Sequence, residues 1–460
     1  MNARENFGSR LGAILAAAGS AVGLGNIWRF PIETGRNGGA AFILVYIGCV
    51  VLLGFPVMLS EFLIGRHTQS NTARAYQKLA PHTQWKWVGR LGVFTGFFIL
   101  SYYSVVAGWT IYYALLALFN GFAGKTAADF PVLFQTFSSN WWHPTVWLIF
   151  FMLMTHVVIV KGVTKGIERW SKVLMPLLFC IIVLLALCSV SLPGAGGGLE
   201  FLLKPDFAKI DSSVILSAMG QAFFSLSLGM GCLCTYASYF DRKTNLAKTA
   251  VQVIAIDTLI ALLAGFIIFP AAFAVHYDIT QVMGPGLIFV TLPNVFNQAF
   301  AGAPALGYVF SVLFYVLLIV AALTSTISMH EVVTSYLSEE WGLGRSRGAV
   351  IETSVGAFLG VLCSLSFGVL GDVKVFGLTF FDLFDWTASN LCLPLGGMFI
   401  SLFAGWRLDK QLFRDELTNN GSIRAPYFKA LVFTLRYISP TLIFLVFLYQ
   451  VGLLAVFDLF

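Results

Sequence analysis

Residues 19–25 read Gly-Ser-Ala-Val-Gly-Leu-Gly, and residues 225–231 read Ser-Leu-Ser-Leu-Gly-Met-Gly. Both stretches lie inside long apolar runs, where each glycine destabilises a helix by about 1 kcal/mol relative to alanine. Clustered glycine and serine therefore favour a break in the helix near the middle of each run. Close packing of membrane helices through small residues is the alternative explanation, and the sequence leaves it open.

The composition of the 460-residue chain excludes a water-soluble globule. Hydrophobic residues make up 58% of it and charged residues 11%, whereas ordinary soluble domains carry about 25% charged residues. A membrane-spanning helix needs about 20 mostly apolar residues, and eleven stretches qualify: roughly 11–34, 40–65, 88–119, 145–160, 167–190, 214–239, 246–275, 307–337, 349–367, 377–405 and 429–455. We predict an all-α integral membrane protein with eleven transmembrane helices in a single domain, 1–460.

The distribution of basic residues predicts the orientation. With the N-terminus inside, six of the 28 lysines and arginines lie outside and the other 22 lie inside. The six are Arg29, Arg36, Lys125, Lys204, Lys209 and Lys374. Because cytoplasmic loops are rich in Lys and Arg, we expect a multi-pass protein of the inner (plasma) membrane with a cytoplasmic N-terminus and an external C-terminus. The basic residues form no block, so we expect no nucleic-acid partner.

The two predicted breaks fall in the first and the sixth span, at matching positions of two five-helix halves. This pattern is typical of a 5+5 inverted repeat with a binding site near the membrane midplane. We predict a first repeat over 1–190, a second over 214–405 and an extra C-terminal helix over 429–455. Backbone amides freed by a break suit a carboxylate, and freed carbonyls suit a cation.

Polar side chains near the breaks support a cation site. Ala321, Thr324 and Ser325 lie at i, i+3 and i+4 of span eight, so one helix face offers a carbonyl and two hydroxyls. Such oxygen atoms suit a hard cation. Among the acidic residues within spans, we expect Asp257 to face this site and Glu61 to pair with a backbone amide or a neighbouring arginine. Hydroxyls bonded back to their own helix are the alternative for Thr324 and Ser325.

The sequence resembles the neurotransmitter:sodium symporter family, and in particular its eleven-helix bacterial amino-acid transporters with the leucine-transporter fold. The resemblance rests on motifs that run in order through spans one to ten: Arg10-Leu-Gly, Gly23-Leu-Gly25-Asn26-Ile-Trp28-Arg29-Phe30-Pro31, Asn37-Gly-Gly, Gly54-Phe-Pro56, Glu61, Gly65-Arg66, Lys165-Gly-Ile-Glu-Arg169, Gly220-Gln221-Ala-Phe-Phe224-Ser225-Leu-Ser227-Leu-Gly229, Thr235-Tyr-Ala-Ser-Tyr239 and Ala321-Ala-Leu-Thr324-Ser325. It implies a sodium-driven symporter that works by alternating access.

The resemblance also implies, residue by residue, where the ions and the substrate bind. The second of two sodium sites would use Gly19, Val22, Ala321, Thr324 and Ser325. The first would use the substrate carboxylate together with Ala21, Asn26, Ser225 and Asp257. The substrate site would consist of Ala21, Gly23, Gly25, Ile99, Tyr103, Phe224, Ser225, Ser227, Met230, Ser325, Thr326 and Met329.

The implied substrate is a neutral amino acid, hydrophobic or aromatic. No carboxylate of the set lies where the substrate side chain should point, and the flexible Met230 and Met329 would admit bulky groups. Animal relatives bind chloride beside the first sodium with a serine and an asparagine, where this chain has Ala261 and Asp257. Because a fixed carboxylate supplies the negative charge instead, we predict that no chloride is required.

The same comparison implies two gates. The outer gate would pair Arg29 with Asp385 and Tyr103 with Phe224, with Gln221 among its residues. The inner gate would pair Arg4 with Glu339, assisted by Phe7 and Tyr239.

The sequence gives little support to classes of function other than transport. The six histidines form no metal motif and no Ser, His and acid set is evident, so we do not expect an enzyme. A channel of the same fold would need a ring of charges or a carbonyl filter, which the sequence does not show. A sensor that binds an amino acid without transporting it stays open. The expected partners are an amino-acid substrate and the lipid bilayer, for a monomer or a weak homodimer.

Overall fold

The computed structural model describes residues 5–278 and 284–453. The predicted gate residue Arg4 and the last two positions of the predicted span 429–455 lie outside the described residues. Within them the secondary structure is helical, apart from an isolated bridge between Val375 and Leu378.

The helices of the bundle are numbered in chain order. They are α1 (Arg10–Ala21), α2 (Gly25–Arg36), α3 (Ala40–Thr68), α4 (Lys86–Leu118), α5 (His143–Val160), α6 (Val163–Val190), α7 (Ser212–Ser225), α8 (Cys232–Ala237), α9 (Leu246–Ala274), α10 (Pro304–Glu340), α11 (Arg345–Leu365), α12 (Phe380–Arg407) and α13 (Phe428–Gln450). Shorter helices lie in the connections: Thr72–Leu79, Asp129–Ser138, Gly196–Leu203, Leu292–Ala299 and Lys410–Thr418.

The first predicted break lies between α1 and α2. The helix α1 ends at Ala21, and Val22 is extended, with φ −70° and ψ 116°. The helix resumes at Gly25, and the axes of α1 and α2 are bent by 52° from each other. The first predicted break is therefore confirmed.

The second predicted break separates α7 from α8. Ser227, Gly229 and Gly231 have φ values of 54°, 84° and 77°, a left-handed region that glycine enters without steric strain. The backbone amides of Gly229 and Cys234 donate to the buried carboxylate of Glu61, at 2.9 and 3.3 Å. Glu61 therefore satisfies amides at the second break, which is the structural role expected for it.

Length and composition support nine to ten membrane spans in the described residues and do not establish the eleven that we predicted. Nine helices are long and apolar enough to cross a membrane, and the bent pair of α1 and α2 adds a tenth. The predicted sixth span is divided into helices of 14 and six residues, each shorter than the roughly 20 residues that a span requires. The count of eleven and the inverted repeat remain predictions.

The two breaks meet near the centre of the bundle. The helix α1 packs against α6, α9 and α10, and α4 runs along α10. Ala17 and Ala18 of α1 are fully buried, because side chains this small let neighbouring helices approach closely. The starts of α7 and α9 are fixed by Asp211 and Asn245, whose side chains accept backbone hydrogen bonds from the first turn of each helix.

Candidate functional site

A small cavity lies where the two breaks meet. Its volume is ≈30 Å³, which is enough for one or two water molecules and far less than the roughly 300 Å³ or more of an ordinary small-molecule pocket. Its lining residues are Ser20, Ala21, Gly23, Gly25, Ile99, Tyr103, Phe224, Ser225, Ser227, Met230, Ser325 and Met329. A substrate the size of an amino acid would therefore require the flexible side chains of this wall to move.

Eleven of the twelve residues predicted for the substrate site line this cavity, and Thr326 does not. The Thr326 hydroxyl donates to the Leu323 carbonyl at 3.1 Å and lies 2.9 Å from the Thr155 hydroxyl. It therefore faces α5 and not the cavity.

Ser20 lines the cavity but was missing from the prediction. The Ser227 hydroxyl donates to the Ser20 carbonyl at 2.9 Å, which links the two breaks directly. The position of Ser20 within the Gly-Ser stretch 19–25 was the signal that could have identified it.

Three residues of the predicted first sodium site form a buried cluster that joins α2, α7 and α9. The Asn26 amide donates to Asp257 Oδ1 at 2.7 Å and to Ser225 Oγ at 3.1 Å. The Ser225 hydroxyl donates to Asp257 Oδ2 at 2.8 Å, and Asn26 Oδ1 accepts from the Gly23 amide at 3.0 Å. Among the described residues no Lys or Arg forms an ion pair with Asp257, so the cluster is a place where a cation is favoured electrostatically.

The residues of the predicted second sodium site meet at the carboxyl end of α1. The Ser325 hydroxyl donates to the Val22 carbonyl at 3.0 Å, and the Thr324 hydroxyl lies 3.4 Å from it. Thr324 also donates back to the Ala321 carbonyl at 2.9 Å, which is the local bonding that we named as the alternative. A Cβ placed on Gly19 would lie 3.3 Å from Thr324 Cβ, so Gly19 borders the same group.

The donor sets of both clusters consist of oxygen atoms from carbonyl, hydroxyl, amide and carboxylate groups. In the described ranges no three His, Cys, Asp or Glu side chains lie close enough together to hold a metal ion. Such oxygen atoms fit hard cations better than soft transition metals.

The Tyr103 phenol and the glycines of the first break lie together in the wall of the cavity. The Leu24 amide donates to the Tyr103 hydroxyl at 2.9 Å. A Cβ at Gly23 would lie 2.5 Å from Ser325 Oγ and 2.9 Å from the Tyr103 hydroxyl, and one at Gly25 would lie 2.9 Å from the Phe224 ring. Glycine at both positions therefore permits the close approach of these side chains, which a Cβ would displace.

The predicted outer ion pair does not form in this conformation. The Arg29 guanidinium lies over the Phe224 ring, 4.3 Å from its centroid, and Asp385 accepts a hydrogen bond from Ser389 at 3.0 Å. No ion pair joins Arg29 to Asp385 among the described residues. The Gln221 side chain is buried, and neither of its polar atoms has a hydrogen-bond partner there.

At the opposite end, Glu339, Tyr239 and Phe7 of the predicted inner gate make contacts within the described residues, and the predicted pair of Glu339 with Arg4 stays a prediction. Glu339 accepts hydrogen bonds from the backbone amide and the side chain of Asn71, at 2.9 and 3.0 Å. The Tyr239 hydroxyl donates to Glu331 at 2.5 Å, and Phe7 packs edge-on against the Tyr239 ring.

Sequence reasoning also missed a buried ion pair at this end. Arg345 of α11 donates to both carboxylate oxygens of Glu331 and to the carbonyl of Ile159. The sequence signal for this ion pair was Glu331, an acidic residue within span eight. Nothing in the spacing identified Arg345 as its partner.

The comparison with known proteins identifies the family. A model of the family described as "Sodium:neurotransmitter symporter family" matches residues 4–128 and 138–456. The chain belongs to the sodium:neurotransmitter symporter family.

Named relatives and a solved structure agree with this assignment. This symporter-family chain is 38% identical over 449 residues to the Bacillus subtilis protein named as the uncharacterized sodium-dependent transporter YhdH, with 98% of each chain covered. It is 33% identical over 458 residues to an uncharacterized sodium-dependent transporter of Haemophilus influenzae, with 97% of this chain and 98% of the relative covered. The crystal structure of MhsT in complex with L-phenylalanine shows 44% identity and a TM-score of 0.88, covering 97% of this chain and 100% of that chain.

Family membership confirms the resemblance seen in the sequence motifs. The protein is a member of a family of sodium-dependent membrane symporters and is not an enzyme. Its fold is that of the leucine transporter, to which the MhsT match assigns it.

Proposed function

We propose that this symporter imports a neutral amino acid, hydrophobic or aromatic, by sodium-driven alternating access. The observation that carries the proposal is the cavity at the two helix breaks, whose wall combines glycines and hydroxyl side chains with the apolar Ile99, Phe224, Met230 and Met329. No side chain that lines the cavity is charged, which favours a substrate with a neutral side chain. The MhsT structure, which is similar over almost the whole chain, contains L-phenylalanine.

The proposed binding mode follows from the groups at the break. The substrate carboxylate accepts hydrogen bonds from the amides near Gly23 and Gly25 and from the Tyr103 hydroxyl, since a helix start favours an anion. The substrate side chain contacts Ile99, Phe224 and the two methionines of the wall. Because Arg29 lies on Phe224, the movement of Phe224 that admits substrate also moves the charge above the cavity.

The two oxygen clusters are the proposed sodium sites. The first ion binds at Ala21, Asn26, Ser225, Asp257 and the substrate carboxylate, and the second binds at Gly19, Val22, Ala321, Thr324 and Ser325. Coupling then follows from linkage, because a substrate that completes the first ion's shell raises the affinity for that ion and the ion raises the affinity for the substrate.

Two sodium ions moving inward with a net-neutral amino acid provide a strong driving force. At roughly 2.3 kcal/mol per charge and 100 mV, the membrane potential alone contributes about 4.6 kcal/mol. This contribution corresponds to accumulation of more than about a thousandfold before the sodium gradient is added. We further propose that Asp257 supplies the negative charge at the first site, so that transport requires no chloride.

The architecture that serves this mechanism is also a proposal. It comprises eleven spans, with repeats over 1–190 and 214–405 and an extra helix at 429–455. The N-terminus is cytoplasmic, the C-terminus is external, and the membrane is the inner (plasma) membrane. The repeats move relative to each other around the fixed site, in a monomer or a weak homodimer.

Uptake by the purified protein in liposomes tests the proposed function. With an inward sodium gradient, radiolabelled phenylalanine or leucine should accumulate, and replacing sodium by choline should abolish accumulation. Substrate binding without uptake would favour a sensor, and a sodium-insensitive conductance would favour a channel. Uptake that is unaffected by sodium would contradict the proposal.

A further inference from the structure

A groove on the surface of the bundle lies at the start of α4 and is separate from the cavity at the breaks. Its volume is ≈730 Å³, and its wall is formed by Thr83, Gln84, Trp85, Trp87, Val88, Arg90, Leu91, Phe94 and Phe399. Trp87, Arg90, Leu91 and Phe94 recur at i, i+3, i+4 and i+7, so they share one face of α4. The groove is thus an apolar strip that carries one cation, Arg90, between Trp87 and Leu91.

Two aromatic side chains of the groove are exposed on the surface of the bundle. Trp87 is 55% exposed and Phe94 is 43% exposed, although both belong to a helix that is long and apolar enough to span the membrane. Tryptophan is enriched at the boundary between the hydrocarbon and the headgroups. Trp87, in the first turn of α4, therefore lies near the headgroups, and Phe94, two turns further on, lies beside the acyl chains.

Arg90 lines the groove and Lys86 lies beside the ring of Trp87, and no acidic partner of either is found in the described part of the chain. The Arg90 guanidinium lies 4.8 Å from the centroid of the Trp87 ring, and Lys86 Nζ lies 5.9 Å from it. Neither forms an ion pair among the described residues, whereas the nearby Arg74 binds Glu340 at 2.7 Å. The lining of the groove contains no Asp or Glu. An uncompensated positive charge therefore faces the headgroup region.

We infer that this groove binds one anionic phospholipid of the surrounding leaflet. The phosphate contacts Arg90 and Lys86, while an acyl chain lies along Leu91, Phe94 and Phe399. A zwitterionic lipid would fill the apolar part equally well but would leave the two cations less well compensated. In the proposed orientation this leaflet is the cytoplasmic one, where anionic lipids attract juxtamembrane basic residues. The inference goes beyond the proposed function and does not depend on the identity of the substrate.

Binding of spin-labelled lipids to the purified full-length protein tests the inference. The protein in detergent micelles is titrated with phosphatidylglycerol or phosphatidylcholine that carries a nitroxide on the acyl chain, and the immobilised fraction is measured by electron paramagnetic resonance. The wild type should prefer phosphatidylglycerol. The K86Q/R90Q variant should lose this preference, by about fivefold for each charge removed.

Two further variants separate this site from general attraction to the surface. Lys248→Gln removes an exposed basic residue from the first turn of α9 and should leave the preference unchanged. Leu91→Trp fills the groove and should weaken the binding of both lipids without changing their ratio. All three variants change side chains that are not fully buried, and equal unfolding temperatures would verify that they fold.

Three outcomes would overturn the inference. The first is a wild type with no preference for phosphatidylglycerol, and the second is a preference that survives in K86Q/R90Q or falls equally in Lys248→Gln. The third is complete displacement of the labelled lipid by inorganic phosphate, which would assign the cations to a free anion. None of these readouts involves transport, so failure here and failure of the symport assay are distinguishable.

Discussion

Asp257 is the residue on which the charge of the first proposed ion site depends. Its two oxygen atoms accept from Asn26 and Ser225, so the carboxylate is held in place, and burial strengthens its attraction for a cation. Asp257→Asn keeps the shape but removes the charge. We expect the sodium concentration for half-maximal uptake to rise at least about tenfold, which corresponds to about 1.4 kcal/mol, in chloride-free buffer.

Chloride provides the second readout for the same variant. If the carboxylate replaces an anion, added chloride should partly restore Asp257→Asn and leave the wild type unchanged. Glu33→Gln, which alters a carboxylate further along α2, is the matched control and should keep its sodium response. A wild type that requires chloride would show that Asp257 does not fill this role.

Ser325 and Thr326 are adjacent hydroxyl residues that the structure directs to different faces of α10. The Ser325 hydroxyl bonds to the Val22 carbonyl, and the Thr326 hydroxyl bonds within α10 and contacts Thr155. Ser325→Ala should therefore raise the half-saturating sodium concentration by about tenfold, whereas Thr326→Ala should leave it within about twofold. Sodium titrations of substrate uptake measure both, and equal effects of the two substitutions would remove Ser325 from the site.

The contrast between these two residues shows where sequence reasoning stops. The motif Ala321-Ala-Leu-Thr324-Ser325 and the helical period place the residues on α10, but assigning Thr326 to the cavity required knowing how α10 is rotated against α5. Arg29 illustrates the same limit. The family resemblance implied a pair with Asp385, whereas the structure places the guanidinium on the Phe224 ring.

At the scale of elements, the two broken helices were predictable because glycine and serine weaken a helix wherever they cluster. What satisfies the freed backbone groups was only partly predictable. Glu61 of α3 accepts from two amides at the second break, and the sequence offered a backbone amide or a neighbouring arginine as its partner. The packing of α3 against α8 selects between these choices, since it places the carboxylate next to the start of α8.

The short helix Lys410–Thr418 is joined to α3 by a charged cluster whose strength should depend on pH. Arg66 Nε donates to Glu416 at 2.7 Å, and His67 Nδ1 lies 3.0 Å from the other carboxylate oxygen. Burial by itself would raise the pKa of Glu416, but the hydrogen bond from His67 and the charge of Arg66 outweigh it and hold the pKa below its ordinary value.

A lowered pKa in the folded state fixes the sign of the effect. The carboxylate stabilises the fold above its unfolded pKa of about 4.3, and this contribution is lost as the pH falls through the lower folded value. The wild-type unfolding temperature should therefore fall on acidification below about pH 4.3 more steeply than that of Glu416→Gln. Asp415→Asn, on the same helix, is the control and should retain the wild-type slope. Identical slopes for the wild type and Glu416→Gln would contradict the assignment.

At the scale of the whole molecule, composition alone excluded a soluble protein, but the exact number of spans did not follow from it. Apolar length identifies unbroken helices reliably, because crossing hydrocarbon requires a minimum number of residues. It fails at α7 and α8, where the break removes the continuous helix that the criterion measures. The orientation rests on a separate signal, the unequal distribution of lysine and arginine.

The orientation is tested at the two ends of α12, which lie on opposite sides of the membrane if this helix spans it. Lys374 precedes α12, Lys410 follows it, and both are exposed. With the N-terminus inside, 22 of the 28 basic residues lie inside, and Lys374 lies outside. We therefore expect Lys374→Cys to react with a membrane-impermeant maleimide on intact cells, and Lys410→Cys to react only after lysis. The wild type is the background control, because its labelling measures the reaction of the native cysteines. Cys49, Cys232, Cys234, Cys363 and Cys392 are buried, whereas Cys180 is exposed. The reverse labelling pattern would place the N-terminus outside, and sodium entering down its gradient would then approach the two ion sites from the opposite face.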